Sequence, residues 1–474
     1  MDKNQDSKLT IKTALMNTVA NIIGLVVGMV MVPIIARVLT PAELGVASTF
    51  LSTRNTVVIV ITCAVYAYVN RAMLEFREHK KDYIYTMVLF CICTVISALL
   101  ICIPFKSRLM GLFTLDGILF YWLFGSCLVF ALYSLGNYYC IFHNKSIIIF
   151  CIVLSGGVVS QLLSLGLAYM MPQERAIGRV IGLDFTYGVV AICVLVWMVL
   201  TKEKKPKLLY IKQTLRFTVP VIPHLLSQMV LTQCDLIMIS YYAGEDKSGI
   251  YSMGHTVGFL AFTVMTQVMA AWSPWVYRRL EEHDRGSIRQ NAQVMMLLGA
   301  YMSIGLMTVG TELIRIFLTD LYLPCIYIVP PLVLAMFFQF LYLFLYDVEY
   351  YHKKAKLLAV SSVLSSVLNL ILNAVFIPRY SYMSACYTTV VSYLALLILN
   401  YMFSRRLGIS GIYNLKLMAA LVAASAAYMI FIFMTIPYLI LRYGALVLIT
   451  VILLALEKEK LKRLLFSMKG QKNE

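Results

Sequence analysis

Residues 36–48, ARVLTPAELGVAS, and residues 240–252, SYYAGEDKSGIYS, overlay without a gap when the sequence is shifted by 204 positions. In this overlay Gly45 coincides with Gly249, and Ser48 coincides with Ser252. Self-similarity at a fixed offset is typical of an internally repeated architecture. The sequence therefore predicts two structurally related halves.

The composition excludes a water-soluble globule and a disordered chain. Of the 474 residues, 61% are hydrophobic and 13% are charged, whereas a soluble domain is about 45–50% apolar and about 25% charged. The 11 cysteines form no CxxC motif and no Cys/His cluster with metal-ligand spacing. We expect a polytopic helical membrane protein without a metal site.

A bilayer core of about 30 Å requires about 20 helical residues. With that window, the sequence predicts an all-α polytopic membrane protein of about 14 transmembrane helices. The predicted spans are 11–36, 44–68, 83–104, 117–141, 146–171, 177–200, 217–242, 249–276, 291–317, 324–349, 354–378, 382–404, 414–435 and 437–456.

The basic residues predict the orientation of these spans. If the N-terminus is cytoplasmic, 30 of the 40 lysines and arginines lie on the cytoplasmic side and 8 on the other. This bias is typical of bacterial inner-membrane proteins, and it places both termini in the cytoplasm. Contact with anionic membrane lipids explains the net charge of +17, so no nucleic-acid partner is expected.

The repeat and the spans together predict the domain organisation. Two six-helix lobes are expected over 1–200 and 217–406, joined by a basic cytoplasmic linker, 201–216. Residues 407–474 would add two helices and a basic cytoplasmic tail. A cavity between two such lobes is the expected substrate route.

Several of these motifs also carry a resemblance to a known family. The run at 36–45 resembles the first-loop signature of bacterial polysaccharide-unit flippases, the O-antigen (Wzx-type) members of the multidrug/oligosaccharidyl-lipid/polysaccharide (MOP) exporter superfamily. The resemblance continues at 220–224, at 272–275, at 350–354, and at Asn369, Asn373 and Ile377-Pro378. It implies a two-lobed fold and export of a lipid-linked oligosaccharide for surface polysaccharide biosynthesis, with a polysaccharide polymerase as a partner.

The predicted function is therefore that of a flippase, not of an enzyme. A polyprenyl-diphosphate-linked oligosaccharide would cross the bacterial inner membrane by alternating access, driven by an H⁺ or Na⁺ gradient and without a cofactor. The sequence contains no P-loop, and its outward loops are too short to hold a folded catalytic site. The alternative is a cation-coupled multidrug exporter of the same superfamily.

Arg54 is the first candidate for substrate binding. It follows Gly45 by nine residues, which places it about 14 Å below the outer end of its span. Ser52 and Asn55 are its polar neighbours. An ionisable group at this depth is a functional candidate; Arg54 would either bind the lipid diphosphate or form a structural pair with Asp184.

Asp235 and His255 are the first candidates for ion coupling. They lie on consecutive spans at matching depths, about 11 and 9 Å from the outer surface, and would form either a coupling site or a buried packing pair. His224 and Asp184 are weaker candidates for the same role.

Other polar positions have simpler expected roles. Asp347 and Glu349 lie beside Lys353 and Lys354, which predicts a charge cluster at the membrane interface. Glu312 and Arg315 are expected to pair as i, i+3 neighbours. A four-residue spacing places four side chains on one helix face, where they would bond to neighbouring helices or line a channel: Ser361, Ser365, Asn369 and Asn373.

Overall fold

The computed structural model describes residues 3–200, 205–352, 354–406 and 410–453, and these residues contain helices but no strand. The N-terminal helices are α1 (Lys3–Val38), α2 (Pro41–Ile61), α3 (Val69–Glu75), α4 (Lys80–Cys102), α5 (Lys106–Phe113), α6 (Gly117–Phe142), α7 (Ser146–Leu154), α8 (Ser160–Met170) and α9 (Arg175–Leu200). A π-helical segment, Ser155–Val159, joins α7 to α8.

The second part of the chain continues the series. It contains α10 (Leu208–Thr218), α11 (Ile222–Ala243), α12 (Glu245–Glu281), α13 (Arg285–Phe317), α14 (Val329–Tyr351), α15 (Ala355–Tyr380), α16 (Met383–Arg406), α17 (Leu415–Thr435) and α18 (Leu439–Leu453). We call α1–α9 the N-lobe and α11–α16 the C-lobe. The predicted basic tail beyond residue 453 lies outside the described residues.

The predicted fold class is confirmed. Twelve helices in the described ranges are long and apolar enough to cross a membrane. The first and last predicted spans overlap the shorter apolar helices Val26–Val38 and Leu439–Leu453. Large apolar side chains cover the outer surface; Ile101, Ile147 and Val199, for example, are 66, 68 and 78% exposed. Such a surface suits a multi-pass membrane protein.

The motif at residues 36–45 forms the junction between α1 and α2. The Thr40 hydroxyl accepts a hydrogen bond from the Glu43 N–H at 3.4 Å, while the Glu43 carboxylate accepts one from the Thr40 N–H at 2.7 Å. This is a capping box, and Pro41 occupies a first-turn position where its missing N–H does no harm. The motif thereby fixes the start of α2 one turn before Gly45.

The two repeated glycines meet where α2 crosses α12. A Cβ atom on Gly45 would lie 1.8 Å from the carbonyl oxygen of Glu245, and one on Gly249 would lie 1.7 Å from that of Pro41. Next to this crossing, the hydroxyls of Ser48 and Ser252 are 2.6 Å apart. Residues matched by the repeat are therefore paired across the boundary between the lobes.

Further hydrogen bonds seal the lobes together at this end of the bundle, which we call the Gly45 end. Thr49 and Ser248 are joined through their hydroxyls at 3.1 Å. The Tyr322 hydroxyl, from the segment before α14, donates to the carbonyl oxygen of Leu39 at 3.0 Å. The opposite end, where α9 is connected to α10, is called the linker end.

The helix α10 packs on the linker end of the N-lobe. The hydroxyls of Tyr83 on α4 and Thr214 on α10 are 3.2 Å apart. Phe76 and Tyr210 make an edge-on ring contact at 4.7 Å. The linker from Leu208 onward is therefore an ordered part of the N-lobe, whereas 201–204 lie outside the described residues.

A buried ion pair attaches α18 to α13. Arg442 is 0% exposed, and its guanidinium donates to both carboxylate oxygens of Glu312 at 2.6 and 3.0 Å. The expectation that Glu312 pairs with Arg315 is therefore wrong, because helical periodicity does not reveal a partner 130 residues away.

We expect Gly45→Ala or Gly249→Ala to weaken the contact between the lobes. The added methyl group would overlap a backbone carbonyl, and overpacking typically costs about 1–3 kcal/mol. Thermal unfolding of the purified protein should show a lower midpoint, and Ser48→Cys with Ser252→Cys should cross-link more slowly in the glycine variants. Gly305→Ala is the matched control, since no atom outside the adjoining backbone of its own helix lies within 4 Å of the position that its Cβ would occupy. An equal loss there would contradict the explanation.

Candidate functional site

A cavity of about 1020 Å³ lies between the lobes, at the upper end of the range of about 300–1,000 Å³ for small-molecule sites. It begins beneath the Gly45–Gly249 crossing and extends along α12 as far as Val268. Side chains of α1, α2, α8 and α9 line one wall, and side chains of α11 and α12 line the other. Gly28 of α1 is one of the lining residues, and no neighbouring helix lies within 4 Å of the position that a Cβ atom on it would occupy.

Arg54 lies on the cavity wall and is 4% exposed. Its guanidinium forms an ion pair with Asp184 and lies 5.2 Å from the ring centre of Phe130. The Asp184 carboxylate also accepts a hydrogen bond from the indole N–H of Trp122 at 3.1 Å. The structural pairing considered for Arg54 is thus present, at the surface of the expected substrate route.

The two polar neighbours of Arg54 have different surroundings. The Asn55 side-chain oxygen accepts a hydrogen bond from Arg54 at 3.0 Å, and Asn55 lines the cavity. Ser52 is 1% exposed and donates to the side-chain oxygen of Gln233 on α11 at 2.9 Å. Asn55 therefore extends the polar surface of Arg54, whereas Ser52 joins the two lobes.

Sequence reasoning overlooked Arg179 as a candidate. It lies in the second turn of α9, lines the cavity and is 8% exposed. Its guanidinium donates to the Ser164 hydroxyl at 3.3 Å, and no carboxylate in the described chain lies within ion-pair distance. The sequence offered one signal: Arg179 lies two residues inside the predicted span 177–200, where a charged residue is a functional candidate.

The cavity surface is basic. Its lining contains two arginines and His255, but no aspartate or glutamate among the described residues. Asp184 offsets the charge of Arg54, whereas Arg179 remains unpaired. Guanidinium groups bind phosphate and carboxylate oxygens through parallel hydrogen bonds, so the surface is suited to an anionic group.

Asp235 lies inside the C-lobe and is 3% exposed. Its carboxylate accepts hydrogen bonds from the Tyr251 hydroxyl at 2.7 Å, the Asn373 amide at 2.7 Å and the Thr389 hydroxyl at 2.6 Å. These donors come from α12, α15 and α16. No lysine, arginine or histidine in the described chain forms an ion pair with it.

The two histidine candidates lie elsewhere. His255 lines the cavity, and its ring stacks on Phe259 with 4.0 Å between ring centres. Tyr251 separates it from Asp235, so the direct pair expected from their depths does not form. His224 bridges α11 and α15 through a 2.9 Å hydrogen bond to Ser362, three turns away from Asp235.

The expectation that Asp347 and Glu349 form a charge cluster at the membrane interface is wrong. Asp347 is 4% and Glu349 0% exposed, because 89% of the apolar window of α14 is buried among other helices. Asp347 accepts hydrogen bonds from Ser273 and Tyr277, and Glu349 accepts one from Ser404. Lys354 is exposed and forms no ion pair with either carboxylate, whereas Lys353 lies outside the described residues.

The sequence model of one family, described as polysaccharide biosynthesis protein, matches residues 10–280, which is more than half of the chain. None of the curated protein sequences compared with the chain matches it.

Solved structures share the fold. The lipid II flippase MurJ in its inward closed conformation superimposes with a TM-score of 0.72 at 12% identity, over 94% of this chain and 100% of that one. An inward-facing multidrug resistance MATE family transporter of the MOP superfamily gives 0.65 at 11% identity, over 84% and 98%. An outward-facing MATE transporter gives 0.52 at 11% identity, over 85% and 96%. The resemblance inferred from the motifs is confirmed.

We expect Arg54→Ala and Asp184→Ala each to destabilise the protein, because either change leaves one buried charge unpaired, at a cost of about 3–5 kcal/mol. The double variant should recover most of this loss. The measurement is a double-mutant cycle of thermal unfolding, with surface polysaccharide export measured at matched membrane levels.

Two outcomes separate the roles of Arg54. Recovery of both stability and export by the double variant would leave only a structural role, whereas recovery of stability alone would indicate substrate binding. Normal export by Arg54→Ala would contradict binding. Arg71→Ala is the control, because its pair with Glu75 is exposed and should contribute less than about 1 kcal/mol.

Proposed function

We propose, since the chain belongs to the polysaccharide biosynthesis protein family, that it is a flippase for a polyprenyl-diphosphate-linked oligosaccharide. It acts by alternating access in the bacterial inner membrane and supplies the synthesis of O-antigen, capsule or exopolysaccharide. A polysaccharide polymerase on the far side of the membrane uses the product.

The observation that carries this proposal is the unpaired guanidinium of Arg179 in a cavity without carboxylates among its described lining residues. Burying a charge without a partner is costly, so a functional reason for keeping it is expected. A diphosphate supplies the missing negative charge and accepts several hydrogen bonds from guanidinium groups. Arg54, held by Asp184, presents a second basic group on the same N-lobe wall.

The cavity also supplies the uncharged polar groups that a sugar requires. Asn55 and Gln161 of the N-lobe and Gln233 and Gln267 of the C-lobe line it. A glycan loses its hydration on entering about 30 Å of hydrocarbon, and these amides replace part of that hydration. The polyprenyl tail remains in the lipid, where burial of apolar groups has no cost.

The basic residues favour an orientation with the linker end in the cytoplasm. In that orientation the seal formed by Gly45, Gly249, Ser48 and Ser252 closes the periplasmic side, and the cavity is loaded from the cytoplasm. Opening of the seal, together with approach of the lobes at the linker end, releases the headgroup to the periplasm.

The multidrug alternative receives less support. Export of cationic drugs favours an acidic cavity, whereas the lining described here contains two arginines and no acidic side chain. The similarity to MATE transporters at 11% identity concerns the fold.

Asp235 is our candidate for coupling to an ion gradient. It is a buried carboxylate with three hydrogen-bond donors and no basic partner in the described chain. Binding of H⁺ or Na⁺ would neutralise its charge, and release would restore it. The donors come from three helices, so either step changes the contacts by which those helices are held together.

We expect Arg179→Gln to reduce surface polysaccharide export by about 10–100-fold, because hydrogen bonds to charged groups contribute about 1.5–3 kcal/mol. Lipid-linked precursor should accumulate on the cytoplasmic leaflet, while the thermal midpoint should stay equal or rise, since an uncompensated buried charge is removed. Arg108→Gln, on the exposed face of α5, is the control. Normal export by Arg179→Gln would refute the role of Arg179 in substrate binding.

We expect Asp235→Asn to slow export and to abolish its dependence on pH or sodium, because the amide cannot release a bound cation to restore a charge. The measurement is export across a pH series at two sodium concentrations, at matched membrane levels. Asp116→Asn, at an exposed position, is the control. An unchanged pH and sodium dependence in Asp235→Asn would exclude Asp235 as the coupling site.

A further inference from the structure

Buried polar side chains form a line through the C-lobe. On α15, Ser361, Ser365, Asn369 and Asn373 are each 0% exposed and follow one another at one helical turn, about 6 Å apart. On α16, Asn400 and Ser404 are 0 and 2% exposed. The predicted polar stripe therefore faces the protein interior along its whole length.

Hydrogen bonds connect this line at both ends. The Asn373 amide donates to Asp235 at 2.7 Å and to the side-chain oxygen of Asn369 at 3.2 Å. Toward the linker end, the Ser361 hydroxyl donates to the Asn400 side-chain oxygen at 3.1 Å. We call the complete set the polar file: Asp235, Asn373, Asn369, Ser365, Ser361, Asn400, Ser404 and Glu349.

The file ends at Glu349, which is 0% exposed and accepts a 2.6 Å hydrogen bond from Ser404. In the described chain no basic side chain lies within ion-pair distance of Glu349. It is two residues from the end of α14, beside Tyr350, which is 53% exposed. The file therefore runs from a carboxylate near the linker end to Asp235.

Three atoms along the file have no hydrogen-bond partner among the described residues: Ser365 Oγ, Asn369 Nδ2 and Glu349 Oε2. The neighbouring hydroxyls differ, since Ser362 and Ser366 bond to carbonyl oxygens three residues earlier. An unsatisfied buried polar group costs about 1–3 kcal/mol, and internal water is the usual remedy. The unpartnered atoms are thus positioned to hold water in the gaps of the file.

We propose that the polar file conducts protons between Glu349 and Asp235, an inference that rests on the proposed coupling role of Asp235. Glu349 takes a proton from water at the linker end and passes it through the serine hydroxyls and bound water. The Asp235 carboxylate accepts it and becomes a neutral carboxylic acid. Each step exchanges an O–H bond for a new one on the next oxygen, without oxidation or reduction.

A proton suits the file better than a metal cation does. Between its two ends, single hydroxyls and amides are spaced one turn apart, and a metal ion requires several oxygens at once to replace its water shell. Chains of buried carboxylates and polar groups are a recognised form of proton relay in membranes. Sodium passage is the competing outcome of the test.

Other titratable groups face the two ends of the file. Tyr251 of α12, together with Cys386 and Tyr393 of α16, lies near Asp235. Tyr342 lies near Glu349 on the same helix. Cys234 of α11 also lies near Asp235, and His224 of α11 bonds to Ser362, which is not a member of the file. A phenol or thiol loses its proton only at alkaline pH, so the two carboxyl groups are the proton-exchanging members of the file.

The test is time-resolved infrared spectroscopy of the full-length protein in lipid nanodiscs after a pH jump. The carbonyl band of protonated Asp235 is identified by its loss in Asp235→Asn. We expect Glu349→Gln and Ser365→Val to slow its appearance at least tenfold, while the matched control Ser366→Val, on the same helix, keeps the wild-type rate. Ser404→Ala serves as a second variant of the Glu349 end should Glu349→Gln fold poorly.

Two results would overturn the proposal. Wild-type rates in both Glu349→Gln and Ser365→Val would show that protons reach Asp235 by another route. A band that responds to added sodium at constant pH, and not to the pH jump, would show that Asp235 exchanges sodium. The readout needs no glycan substrate, so it stands apart from the export assays that test the flippase function.

Discussion

The close approach of two backbones at Gly45 and Gly249 sets the distance between the lobes. With any larger residue at either position, α2 and α12 would have to separate, and the hydroxyl pairs beside them could not form. The capping box at Thr40 and Glu43 contributes to the same contact, because it fixes where α2 begins. The cavity exists beneath this point because the two helices meet there and diverge below it.

The two lobes carry different chemistry on one repeated framework. The N-lobe exposes arginines to the shared cavity and keeps one of them neutralised by Asp184. The C-lobe hides its carboxylates, Asp235 and Glu349, behind hydroxyl and amide groups, away from the cavity wall. The basic groups of the cavity and the buried carboxylates of the C-lobe are thereby kept apart in space, and α11 and α12 are the helices that contact both.

The sequence predicted the fold more completely than the site. Composition and periodicity predicted the spans, and the repeat predicted two related halves. The contact between the matched glycines and serines is a finding of the structure. Depth along a helix also identified Arg54 and its partner Asp184. Depth does not specify the direction in which a side chain points, so Asp235 and His255, although level, face different spaces.

Burial was harder to predict near helix ends. Arg179 and Glu349 both lie close to the limits of predicted spans, where charged residues normally reach water. Their surroundings depend on which neighbouring helix extends beyond them, and hydrophobic periodicity in one segment contains no information about that. The same reason explains why Glu312 was expected to pair with Arg315, whereas its partner is Arg442.

The two backbone contacts at the Gly45–Gly249 crossing are reciprocal, and this limits how α2 and α12 can separate. The carbonyl oxygen of Glu245 faces Gly45, and the carbonyl oxygen of Pro41 faces Gly249. Each lobe therefore places one carbonyl oxygen against a glycine of the other lobe. A sliding motion that relieved one contact would compress the other. Moving directly apart relieves both contacts at once, so contact between the lobes at the Gly45 end would be lost in a single step and not by gradual sliding.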